Sequence, residues 1–270
     1  MGSGYRFYAG LKGSKVLHVG SDASIYEYTT IQSAVDAAQN NDVIVLAPGT
    51  HTLTAQLTIT KPVRMIGAGG STSGAGTKVT CSSAVTGSMI DVDLIAQSAA
   101  VEVYFENILF QHGVDNKDVF SIDNTNAAYA VTYTFERCSV LSYDAASTGE
   151  AIDLDHTTAA KAQILQIFGS GRCHKFGCVN FAVADAADVL DIGNVYMSED
   201  GCASAIITPA VDKAAIIRLQ NVLFKTATKG VTGGHASQTI VAYGCATESV
   251  GAALVTGDLA GSQTETVISP

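Results

Sequence analysis

The chain has no tryptophan, only four prolines and few charged residues, 15% of its 270. Without tryptophan the broadest aromatic platform for stacking sugars is missing, although tyrosine can serve instead. The shortage of charge does not signal disorder, because 47% of the residues are hydrophobic and one large core is affordable. No apolar run reaches the roughly 18 residues of a membrane-spanning helix. The start, Met1-Gly2-Ser3-Gly4-Tyr5-Arg6, has neither the apolar stretch of a secretory signal nor the Ser or Thr that myristoylation wants at position 6. A soluble product made in the cytosol, with no membrane insertion, is the expectation.

Basic residues are scarce too, 15 against 25 acidic, for a net charge of −10. A phosphate backbone would repel such a chain, which argues against nucleic acid as a partner. The imbalance is uneven. Residues 1–21 contain Arg6, Lys12 and Lys15 and no acid, leaving 12 basic against 25 acidic residues for the rest. With Tyr5, Phe7 and Tyr8 alongside, this stretch reads either as an anchoring arm or as an ordinary first strand. Six cysteines (Cys81, Cys138, Cys173, Cys178, Cys202 and Cys245) are scattered and read as free buried thiols. Cys173-His174-Lys175-Phe176-Gly177-Cys178 carries ligand-type residues, but no second pair completes the four ligands of a structural zinc. No metal or cofactor is expected.

What the chain does have is short strands. Ile31, Ala34, Val35 and Ala38 follow helical spacing after a Thr29 or Thr30 cap, and Asn40-Asn41-Asp42 ends that helix. Strands follow at 43–47, 56–60 and 63–67, the first two separated by a Pro48-Gly49 turn. Beyond them one six-residue pattern recurs: Phe105-Glu-Asn-Ile-Leu-Phe, Phe135-Glu-Arg-Cys-Ser-Val, Ile192-Gly-Asn-Val-Tyr-Met and Leu219-Gln-Asn-Val-Leu-Phe. Weaker copies begin at Phe168 and Tyr243, so the leading residues are spaced 30, 33, 24, 27 and 24 apart. A β-sandwich would show hairpin turns at shorter intervals. Coil-like periods without intervening helices point instead to an all-β, right-handed parallel β-helix with a short N-terminal capping α-helix. Residues 1–27 would be the arm, 28–257 the solenoid and 258–270 a tail. At about 4.8 Å per coil, 43–257 gives roughly eight coils. The six leading residues should form one buried column, and Asn107, Asn194 and Asn221 should stack at a sharp turn.

The stretch from Tyr28 to Gly67, with Thr30-Ile-Gln-Ser-Ala-Val-Asp-Ala-Ala, Asp42-Val-Ile-Val-Leu-Ala-Pro-Gly-Thr and Pro62-Val-Arg-Met-Ile-Gly, resembles the opening of right-handed β-helix proteins of the pectin-lyase-like superfamily. That group includes pectate lyases, pectin methylesterases and phage tailspikes, so the resemblance implies a fold more than an activity. The enzyme signatures it would bring are missing. The nearest run to Gly-His-Gly is Gly234-His235-Ala236, no Asp-Asp pair occurs, and none of the five arginines stands in an Arg-x-Pro context.

One acidic constellation remains. Asp123 follows Asn107 by 16 residues, and Asp153 follows Arg137 by 16, which stacks the two on adjacent coils if turn lengths match. Asp155 shares a face with Asp153 by alternation, and Asp91 and Asp93 pair in the same way. This reads as a calcium site or glycosidase acid pair, or else as a solvated acidic face. Lys161 and Lys175 fall in loops on this reading, and His51, His112, His156 and His174 read as loop or surface residues.

The expected function is that of a non-enzymatic bacteriophage virion protein, a capsid decoration protein or short spike, located in the virion. Its expected partners are other virion proteins through Tyr5, Arg6, Phe7, Tyr8, Lys12 and Lys15, two further copies in a homotrimer, and a host-surface glycan. Oligomerisation follows from a polar tail too poor in large apolar residues to cover the open solenoid end. The alternatives are a polysaccharide lyase or glycoside hydrolase working along one sheet, and a bacterial adhesin.

Overall fold

The computed structural model describes residues 14–69, 76–94, 99–113, 117–122, 129–141, 149–155, 162–169, 175–182, 188–198, 204–208, 215–225, 229–233, 239–247, 253–256 and 266–268. Over these residues the chain is a right-handed parallel β-helix. Sheet I has ten strands, from Val16–Val19 to Thr266–Ile268; sheet II has eight, from Gly49–Leu53 to Ala246–Thr247; and sheet III has eight, from Leu57–Ile59 to Ala253–Thr256. From Val43 onward the strands follow the order I, II, III without exception, so each circuit lays one strand on each sheet.

The turn from sheet I to sheet II explains the recurring pattern. Asn107, Arg137, Asn194 and Asn221 all have left-handed backbones, with φ between 52° and 57°. Asparagine adopts this region with little strain, whereas most side chains do not. Each turn N–H donates to the carbonyl one residue ahead of the next coil's turn: Asn107 to Glu136 at 3.1 Å, Asn194 to Gln220 at 2.9 Å and Asn221 to Tyr243 at 2.8 Å. Asn221 Nδ2 also donates to Asn194 Oδ1 at 3.1 Å. Asn194 and Asn221 stack as the sequence suggests, whereas Asn107 lies against Arg137 of the next coil.

The capping helix spans Ile31–Ala37, with the Thr30 side chain accepting from the Ser33 amide. Its Ile31, Ala34 and Val35, with Ala38 just beyond, are buried over the first coil. Lys61 Nζ closes the other end by donating to the carbonyls of Asp36 and Ala38, each at 2.8 Å. This is the arrangement that helix C-termini favour.

Sheet I supplies the core column, but its register corrects the expected one. In line lie Leu17, Ile44, Met65, Phe105, Phe135, Ile167, Ile192, Leu219 and Ala242, all at most 4% exposed. Phe168 and Tyr243 are absent from it. Phe168 aligns with Glu136 and Gly193 on the outer face, and Tyr243 aligns with Gln220 and is 45% exposed. A one-residue slip in a strand reverses every side chain, and the smaller Ile167 and Ala242 are the true equivalents of Phe135. Phe120 of sheet III packs edge-on to Phe135 at 4.9 Å, joining the sheets through the core.

Two further expectations change. The strand Gly49–Leu53 occupies what reads as a turn, because its Gly-Thr-His-Thr sequence buries only Leu53. The solenoid also extends past both ends of 28–257. Val16–Val19 pairs with Val43–Leu46 inside the expected arm, and Thr266–Ile268 pairs with Val241–Tyr243 inside the expected tail.

Candidate functional site

The outer face of sheet III carries the acidic constellation, rearranged. The row in register is Asp91, Ser121, Asp153 and Asn180, so Ser121, not Asp123, stands beside Asp153. The slip arises in the turn. Gln111 and Leu141 are aligned, as are Phe120 and Ile152, yet nine residues separate the first strand's positions and eleven the second's. Asp123 lies outside the described residues. The backbone of Asp155 pairs with Ala182, and its side chain is outside the description. Asn180 Nδ2 donates to Asp153 Oδ1 at 2.8 Å.

Three residues ahead of this row sits a pair that the sequence reading overlooked. Asp118 and Glu150 precede aligned strands, and the Glu150 amide donates to Asp118 Oδ1 at 2.8 Å. Burial, a carboxyl–carboxyl hydrogen bond to Asp118, and the charges of Asp118 and Asp153 push Glu150 up to about 8. Glu150 therefore keeps its proton at neutral pH, as burial beside a second carboxylate without a cation favours. A repeated signal was available in Asp118-Val119-Phe120 and Glu150-Ala151-Ile152, an acid followed by a small and then a large apolar residue. Among the described residues, no group of three acidic, histidine or cysteine side chains is arranged to hold a metal ion.

Sheet I presents the contrasting case. Arg137 forks between Glu106 and Glu136 and donates through Nε to Asn107 Oδ1 at 3.0 Å. Tyr104 donates to Glu136 Oε2 at 2.5 Å and faces Glu106 Oε2 at 3.1 Å. Burial and these two carboxylates hold the tyrosine hydroxyl far above its ordinary range, so it stays a donor. Arg64 pairs with Glu102 at 2.8 Å while lying 5.1 Å from the Tyr104 ring centroid. Every member is matched within the ladder.

Other acids tie coils through the backbone. Asp42 accepts from the Lys15 amide at 2.7 Å, and Asp188 accepts from the Gln163 amide at 2.6 Å. His112 is fully buried rather than superficial, with Nδ1 3.6 Å from Cys81 Sγ and Nε2 3.1 Å from the Gly87 carbonyl. Cys81, Cys138 and Cys178 are buried free thiols, and burial raises the pKa of Cys81 and Cys138 and so keeps both protonated.

Among the described residues a cleft of about 580 Å³ lies between the capping helix and Gly49–Leu53. Its lining includes Ser21, Tyr26, Thr50, His51, Thr52 and Gln56, over Ile31, Leu53 and Leu57. Among the described residues, no carboxylate, lysine or arginine borders it.

Tyr5, Arg6, Phe7, Tyr8 and Lys12 lie outside the described residues, as do Lys161, His156 and His174. Lys15 is held to the body through its amide, and Lys175 belongs to the strand Lys175–Phe176 rather than a loop. Neither the known family models nor the curated proteins contain a match to this chain.

Proposed function

We propose that the chain is a non-enzymatic structural protein of a bacteriophage particle, a capsid decoration protein or short spike on a pectin-lyase-like β-helix. The supporting observation is the use of charge. Arg64 and Arg137 bind acids on neighbouring coils, and Asp42, Asp118 and Asp188 accept backbone amides from neighbouring coils. Charge deployed this way stiffens a solenoid and fills its own valences, which suits a rod that must survive outside a cell. In this reading the basic, aromatic segment from Tyr5 to Lys15 grips other virion proteins. Copies associate as a trimer through the outer face of sheet I, where Val241 and Tyr243 are exposed. The test is a mass-spectrometric inventory of purified particles, with native mass measurement of the isolated chain. Stoichiometric presence in particles and a threefold mass are expected; absence from particles overturns the assignment, and a monodisperse monomer overturns the trimer.

A glycoside hydrolase is the second reading, favoured by Glu150 beside Asp118, since glycoside cleavage needs a carboxyl that retains its proton near neutrality. Reducing-end release across a polysaccharide panel decides it. Turnover abolished by Glu150→Gln would replace the structural reading with the enzymatic one.

A further inference from the structure

We propose that the cleft beside the capping helix binds a neutral saccharide. Its volume, about 580 Å³, falls within the span of small-molecule sites. Its chemistry is what narrows the ligand. The chain carries 25 acidic and 15 basic residues, yet the lining contains none of them. A uronate, sialate or phosphorylated ligand would enter without a counter-ion, at a desolvation cost that nothing repays. A neutral ligand rich in hydroxyls meets no such cost.

The polar groups are arranged to receive hydroxyls. His51 directs Nε2 at the Ala47 carbonyl, 2.9 Å away, so Nε2 carries the proton and Nδ1 is left as an acceptor. Gln56 commits its Nε2 to Ser88 Oγ at 2.7 Å, which leaves its carbonyl oxygen to accept. Thr50 and Thr52 are exposed along Gly49–Leu53 and can both donate and accept. Two fixed acceptors flanked by adaptable hydroxyls match the vicinal diols of a pyranose.

Tyr26 supplies the apolar platform that the missing tryptophan would otherwise provide. A Cβ on Gly20 would lie only 2.2 Å from a Tyr26 ring carbon, so the ring is seated directly against the backbone there. The glycine makes that approach possible, and the seated ring can pack against the C–H face of a sugar without first being ordered. Gly49–Leu53, the strand that reads as a turn, is held here by its backbone ladder to Thr77–Cys81, and with Leu53 its one buried side chain, the others are free to be polar.

The inference deepens the reading of the chain as a particle-surface protein by naming a ligand class, and is tested apart from the particle inventory. Saturation-transfer NMR on the full chain would use cellobiose, lactose, maltotriose, mannobiose and N,N′-diacetylchitobiose as neutral probes, with digalacturonate as the charged one. At least one neutral probe is expected to receive saturation, and digalacturonate none. Tyr26→Ala should weaken that probe's binding at least tenfold, Thr52→Val about threefold, and Tyr26→Phe less than threefold. Thr52 is exposed, so its variant reads binding even where Tyr26→Ala fails to fold. No transfer to any neutral probe, preference for digalacturonate, or binding unchanged in Thr52→Val and Tyr26→Ala overturns the proposal. Saccharide binding by a chain absent from particles would overturn the virion assignment and leave this site standing.

Discussion

Sheets I and III stack acids on neighbouring coils in the same way and reach opposite outcomes. On sheet I, Glu106 and Glu136 are in register, and Arg137 lies between them with Tyr104 donating from the side. On sheet III, Asp118 and Glu150 occupy equivalent places with no arginine or lysine bonded to either among the described residues, and Glu150 is pushed up to about 8. Parallel coils force like residues to within about 5 Å. Two negative charges at that distance need a cation or a proton between them. One turn residue decides which: Arg137 occupies the left-handed slot that asparagine fills in the coils carrying Asn107, Asn194 and Asn221.

The largest expected effect removes what the two faces share. Phe135 lies beneath the sheet I ladder and edge-on to Phe120 beneath sheet III. Phe135→Ala should cost about 3–5 kcal/mol in urea denaturation, because the coils above and below hold the cavity open. A cost under about 1 kcal/mol would show that the column is not closed.

Arg137→Asn should convert the first face into a copy of the second. Asparagine keeps the turn, so the measured loss, about 2 kcal/mol at pH 7, reports the charge alone, reduced from a fully buried pair because Arg137 is 42% exposed. A variant with wild-type stability would mean that the ladder is ornamental.

Glu150→Gln is the converse experiment. Glu150 titrates near 8 in the folded chain against 4.5 for an ordinary glutamate, so the folded state binds the extra proton between those values. The contribution of this group to stability is therefore complete below about pH 4.5 and declines as pH rises through 8. Glutamine removes that slope. Because the carboxyl is only half-buried, solvent screening limits the variant's advantage at pH 9 to about 1–2 kcal/mol. Parallel stability curves for the two proteins from pH 5 to 9 would contradict the raised Glu150 carboxyl.

The smallest effect checks the register. Phe168→Ala should cost about 1 kcal/mol or less, since the ring lies half-buried on the outer face rather than in the column. A loss as large as that of Phe135→Ala would restore the original alignment.

Much of this was legible in the chain. The helix at Ile31–Ala37, the stacked asparagines and the placement of Phe105, Phe135, Ile192 and Leu219 follow from local pattern, because each depends on residues close in sequence. The acidic site was only partly legible. Asp153 was visible as a candidate, but its neighbour was misjudged by two positions because the turn before Ile152 is two residues longer than the turn before Phe120. Glu150 and Asp118 were missed because they stand ahead of their strands, where no alternation marks a face.

By itself the sequence determined the class of the fold: recurring apolar leads, left-handed turn residues and a capping helix leave few structures but a solenoid. Tertiary structure alone decided which residues from different coils meet. Strand alternation has a period of two, so each turn of variable length can reverse a face or shift a partner, and nothing local records the choice. The ion ladder of Arg137, the raised Glu150 carboxyl beside Asp118, and the cleft beside the helix all arise from that register.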